Sequence, residues 1–156
     1  MENESMIVVY KISHDLKIAR LYLGTDPWFD VDIDEPMTDF EIRRMLYEII
    51  DGLPDIPPFS LVNKDTMSVD IMYELCDSMA VRTYYVLKRQ NVHSVDEIKR
   101  LTAEQFLTFR NLGRKGINNL ILVFYELGYT PTNAMYTVQD YFETKRKERE
   151  QAESKE

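Results

Sequence analysis

The chain is poor in the residues that usually carry chemistry. It holds one cysteine and two histidines in 156 residues. A lone Cys76 excludes an internal disulfide and offers no zinc-ligand spacing. His14 and His93 are too few for a histidine-rich metal site. No apolar run approaches the roughly 20 residues needed to cross a bilayer. The N-terminal MENESMIVV lacks the cationic start and cleavage site of a signal peptide. A reducing cytoplasm without membrane attachment is therefore the expected setting. The 5 glycines form neither a phosphate-binding loop nor a dinucleotide fingerprint. Cys76 and His93 have no third group or oxyanion motif beside them, and no motif surrounds a carboxylate pair. No enzymatic activity, no cofactor and no metal is expected.

Charge is short on the positive side, with 19 Lys/Arg against 27 Asp/Glu and a formal net charge of -8. The distribution is uneven. Residues 1–69 hold 6 Lys/Arg and 14 Asp/Glu, whereas residues 70–130 hold 8 and 7, and residues 131–156 hold 5 and 6. The acidity belongs to the N-terminal part. The cations Arg82, Lys88, Arg89, Arg110, Arg114 and Lys115 fall in the near-neutral middle, where a local patch can hold phosphate with strong salt sensitivity.

Periodicity predicts an α+β fold, mostly α. Met6–Ile12 and Ile18–Leu23 are rich in β-branched and aromatic residues and lie a hairpin loop apart. Trp28–Ile33 alternates apolar and acidic residues, as a third strand with one wet face does. Asp30, Asp32, Asp34 and Glu35 read as that wet side and the turn after it. Thr38–Glu41 is a capping box opening a helix that Gly52 and Pro54 stop. Further helices are expected over Ser68–Asp77 and Ala80–Gln90, and from capping boxes at Ser94–Glu97 and Thr102–Gln105. A long helix then runs to Leu127, with Gly128 at its C′ position. A final helix starts near Thr137 and frays after Thr144 into a charge run. The expected organisation is an acidic β-hairpin/helix unit at 1–52 and a proline-containing linker at 53–65. A helical domain at 66–130 and a trailing helix at 131–156 follow.

Between the apolar stretches Ala103–Phe109 and Ile117–Leu127 lies Arg110-Asn111-Leu112-Gly113-Arg114-Lys115-Gly116. It predicts a helix, a tight glycine turn and a second helix whose first turn carries Arg114 and Lys115. The free N–H groups and dipole of that turn favour an anion. Cations in a first turn oppose the dipole, so an anionic partner such as a nucleic-acid phosphate accounts for them. Tyr73, Tyr84 and Tyr85 could stack on bases, although aromatics at helical spacing more often fill a core.

Val81-Arg82-Thr83-Tyr84-Tyr85-Val86-Leu87-Lys88, Val92–Ile98 and Asn111–Gly116 together resemble the C-terminal domain of the bacterial RNA polymerase alpha subunit. The resemblance runs without a gap from about Met79 to Tyr129. It implies a compact helix-hairpin-helix-like domain that binds double-stranded DNA in the minor groove of A/T-rich sequence, in the service of transcription. It implies that Arg82 enters the groove. Tyr85 stands where the family has an asparagine that assists the arginine. Gly113 and Lys115 match residues that hold the DNA backbone, whereas Gly116 replaces a serine. Asn119 replaces an acid that orients the arginine. Asn111 is expected to cap or shape the turn, and Arg114 to add charge beside Lys115. The first 69 residues do not resemble the alpha subunit's assembly domain. The expectation is thus a small stand-alone protein whose acidic unit contacts RNA polymerase or a regulator. The alternatives are a protein-interaction adaptor that keeps the fold without binding DNA, and a repair or replication accessory with a generic hairpin.

Overall fold

A computed structural model describes residues 5–154, which divide into two compact units, Met1–Thr66 and Met67–Glu156. In the first unit, strands β1 (Met6–Ile12), β2 (Ile18–Leu23) and β3 (Asp26–Asp32) precede helix α1 (Asp39–Asp51) and strand β4 (Phe59–Asn63). The sheet order is β3-β2-β1-β4. β1 and β2 pair antiparallel, with Val9 opposite Tyr22 and Tyr10 opposite Leu21. The loop between them is held by Ser13 Oγ, which accepts from the Lys17 and Ile18 N–H groups at 3.2 and 3.0 Å. Alternation puts Val8, Tyr10, Ala19 and Leu21 on one face, where all are fully buried with Leu46 and Ile50 of α1. Burying an aliphatic side chain of this size stabilises by roughly 1.5–3 kcal/mol. The Thr38 capping box forms as expected, with both reciprocal bonds present.

The proline-punctuated stretch 53–65 is not a free linker. Its residues 59–63 form β4, which lies parallel to β1 with Met6 opposite Phe59 and Val8 opposite Leu61. The prolines, Pro54, Pro57 and Pro58, end before the strand begins, and the Pro58 carbonyl accepts the Met6 N–H at 2.8 Å. The first unit therefore ends at Thr66 rather than at residue 52.

The second unit contains helices α2 (Val69–Leu75), α3 (Val81–Arg89), α4 (Val95–Arg100), α5 (Ala103–Thr108), α6 (Gly113–Leu127) and α7 (Asn133–Ser154). Met72, Leu87, Ile98, Phe106, Ile117, Leu120 and Met135 are buried to under 2% exposure and make its core. The Thr102 capping box forms as read from the sequence. The one at Ser94 does not: Ser94 Oγ donates to Asp96 at 2.5 Å, and Glu97 reaches back to the His93 N–H at 2.9 Å instead. Gly128 closes α6 at φ 84°, a left-handed angle that glycine adopts without a Cβ penalty.

Two expectations about the C-terminus change. α7 starts at Asn133, and its buried Met135 and Val138 are part of the core, so it is not a mere trailing segment. It also remains helical past Thr144 to Ser154. Ion pairs at helical spacing support this charged half, Arg146 bonding Glu143 and Glu150 at 3.2 Å each.

Candidate nucleic-acid interface

The turn before α6 is built by two left-handed residues around a buried pivot. Asn111 has φ 68° and Gly113 φ 52°. Asparagine tolerates the left-handed region better than most residues, and glycine is at home there. Leu112 between them is 3% exposed, so the backbone drops one residue into the core and turns back out. A Cβ added at Gly113 would meet nothing within 4 Å, so the backbone there lies open to the outside. The N-terminus of α6 receives no hydrogen bond from a capping residue, and no acid lies in its first turn. Its first N–H groups are left to bond water or an anion.

The structure brings Arg82 beside this turn. Arg82, Tyr85, Val86 and Arg89 occupy one face of α3, and with Val81 and Asn111 they line a cleft of about 500 Å³. Arg82 and the run Asn111–Gly116 line a second, of about 470 Å³. The shared residues Arg82 and Asn111 make the two clefts neighbours. Arg82 is exposed and has no ion-pair partner among the described residues, so it is not tied to Asp77 or Glu74. Tyr85 is 53% exposed at its side. Arg89, two turns along α3 from Arg82, joins this face. Its spacing of seven from Arg82 was visible in the sequence, but the resemblance did not mark it.

Other expected site residues do different work. Asn119 makes no contact with Arg82. Its Oδ1 accepts from the Ala80 N–H at 3.0 Å and its Nδ2 donates to the Ser78 carbonyl at 2.8 Å. Ala80 has no polar group with which to cap α3, so Asn119 fastens the start of the helix that carries Arg82. Gly116 is buried, and a Cβ there would lie 3.0 Å from Leu112 Cδ1. Its smallness lets Leu112 fold back on α6. Arg114 is not free: its Nη1 donates to Glu143 of α7 at 3.2 Å. That bond, followed by the nearby Arg146, holds the Glu143 carboxyl below the ordinary glutamate range. Lys115 is exposed and has no ion-pair partner among the described residues. Tyr73 and Tyr84 stack on each other at 4.4 Å, and Tyr84 donates to Asp70. These two rings are already engaged, which leaves Tyr85 as the available aromatic.

Nothing nucleophilic or metal-binding gathers here. Among the described residues no group of three His, Cys, Asp or Glu side chains could hold a metal ion, and no helix is long and apolar enough to cross a membrane. The arrangement presents a guanidinium, an ammonium and open backbone donors to an anionic polymer.

Residues 77–124 match the family of the C-terminal domain of the bacterial RNA polymerase alpha subunit. This match spans the approach to α3 through most of α6, and so includes Arg82 and the whole hairpin turn. Similar proteins agree with it. A DNA-directed RNA polymerase subunit alpha from Desulfitobacterium hafniense is 34% identical over 137 residues, covering 77% of this chain and 43% of the relative. The corresponding subunit of Fusobacterium nucleatum is 24% identical over 118 residues, covering 76% and 32%. That of Corynebacterium diphtheriae is 39% identical over 57 residues, covering 36% and 17%. The protein spans less than half the length of these relatives. A match over 77% of its residues is longer than the second unit alone, so the similarity reaches into the first unit, beyond the stretch 79–129 expected from the sequence. No solved structure matches the protein significantly.

Proposed function

We propose that the second unit is a non-catalytic DNA-contacting module serving transcription. Its ligand is the minor groove of A/T-rich duplex. The observation that carries this reading is the convergence of Arg82 with the Asn111–Lys115 turn on one pair of clefts. A narrow groove has an enhanced negative potential that attracts an inserted arginine, here Arg82. Lys115 and the open N–H groups of α6 hold the flanking phosphates. Tyr85 packs beside the inserted arginine, and Asn111 sets the turn. The alpha-subunit match over residues 77–124 supports the same reading. The acidic first unit contacts protein, either RNA polymerase or a regulator.

The experiment is a titration of labelled A/T-rich and mixed-sequence duplexes with wild type, Arg82→Ala and Lys115→Ala over a range of salt. Arg82→Ala should lose the A/T preference along with most of the affinity. Lys115→Ala should weaken both duplexes alike and flatten the salt slope by about one unit. Absence of binding at low salt, or binding indifferent to Arg82, rejects the proposal. The engagement of Arg114 by Glu143 and the burial of Gly116 favour a second reading, an adaptor that binds only protein. Retention of RNA polymerase by the full-length protein without any duplex binding would select it.

A further inference from the structure

α7 lies outside the residues that match the alpha subunit. Its partners on α6 fall in reverse order. Tyr136 meets Tyr125, Gln139 Nε2 donates to Asn118 Oδ1 at 2.9 Å, and Glu143 accepts from Arg114. α7 therefore runs antiparallel to α6 and draws level with the first turn of α6 at Glu143. Residues 144–154 continue as helix beyond that level. At 1.5 Å per residue, this overhang projects about 16 Å past the open N-terminus of α6.

The overhang is ordered by charge. Lys145, Arg146, Lys147 and Arg149 come first, with Glu148 the one acid among them, and Glu150 and Glu153 lie at the far end. Lys145 approaches Glu148 at 4.0 Å, and Arg146 is shared between Glu143 and Glu150. Lys147 and Arg149 have no ion-pair partner among the described residues. Lys147 is one turn beyond Glu143 on the same face, the face that meets Arg114. Thus cations stand in line with the hairpin end, and the nearest carboxylate is occupied by two arginines.

We propose that the α7 overhang is a second phosphate-binding element, which lies along the duplex backbone next to the phosphates held by the hairpin. Lys147 and Arg149 each neutralise one phosphate. This rests on the DNA reading of the hairpin. The overhang lengthens the contact by electrostatics alone, with no part in sequence preference. A duplex carries one charge per about 1.7 Å of axis, so the two cations meet phosphate wherever the hairpin docks.

The test compares wild type with the Lys147→Ala/Arg149→Ala double variant, and with Lys17→Ala of the first unit as a control for net charge. Binding of A/T-rich and mixed duplexes is measured between about 50 and 200 mM salt. Two lost phosphate contacts should flatten the salt slope by about 1.8, so that wild type loses about 12-fold more affinity than the double variant over that range. The ratio between the two duplexes should not change, and Lys17→Ala should keep the wild-type slope. Unchanged helicity by circular dichroism shows that α7 is intact in the variant. An unaltered slope with binding still dependent on Arg82 overturns the role of α7 and leaves the hairpin reading standing. Tighter binding by the double variant overturns it as well, since α7 would then obstruct the duplex. If wild type binds no duplex, both proposals fall.

Discussion

At the scale of single residues, the lone thiol shows how burial decides chemistry. Cys76 is 3% exposed and donates from Sγ to Glu126 Oε2 at 2.5 Å. Burial first, then the bond to the Glu126 carboxylate, pushes its pKa up to about 11. The native state thus favours the protonated thiol. Its contribution to stability is full below the unfolded value of about 8.5 and is lost as pH rises through about 11. The fall in melting temperature between those pH values should be larger in wild type than in Cys76→Ala. Near neutral pH a thiol reagent should modify native Cys76 far more slowly than the urea-unfolded polypeptide. Equal falls in melting temperature, or rapid labelling of the native protein, would contradict the assignment.

At the scale of elements, α3 depends on a residue from a distant helix. Asn119 on α6 satisfies both the Ala80 N–H and the Ser78 carbonyl where α3 begins. Asn119→Ala leaves both groups unpaired and should cost about 1–2 kcal/mol in urea unfolding. It should also weaken A/T preference, because Arg82 sits in the first turn of α3. Asn119→Asp keeps an acceptor for Ala80 and should recover part of the loss. A variant as stable as wild type would show that Asn119 is dispensable. Local signals of this kind were only partly legible in the sequence. The Thr38 and Thr102 boxes could be read because both partners lie within three residues. Ser94 has the same pattern, but Asp96 competes for its hydroxyl and shifts the bond network by one residue. β4 was hidden because its partner β1 is far away in sequence and prolines precede it. The Arg114–Glu143 pair, 29 residues apart, carries no local pattern. The hairpin turn itself was legible, since glycine and asparagine are the residues that left-handed angles demand. What the sequence could not tell was which polar residues around it face outward and which are spent on the fold.

At the scale of the whole molecule, charge separates the two units. Residues 1–69 hold 14 acids to 6 bases, while the segment with the hairpin is near neutral. A tethered acidic unit opposes association with a polyanion through its field alone. Residues 67–156, which have a core of their own, should therefore bind duplex more tightly than the full-length protein at about 0.01 M salt. The difference should shrink toward about 0.15 M, as the screening length falls from about 30 to about 8 Å. A difference that persists at high salt would mean a direct block of the interface. The sheet of the first unit adds a consequence in time. β1 is an inner strand only because β4 covers it, and Met6 waits for Phe59. At about 5–20 residues per second, a ribosome needs roughly 3–10 s to supply that partner. Until then MIVVYKI, with its single charge and no proline or glycine, is an open edge of the kind that recruits strands from other molecules. A polypeptide released at residue 52 would keep that edge open for good.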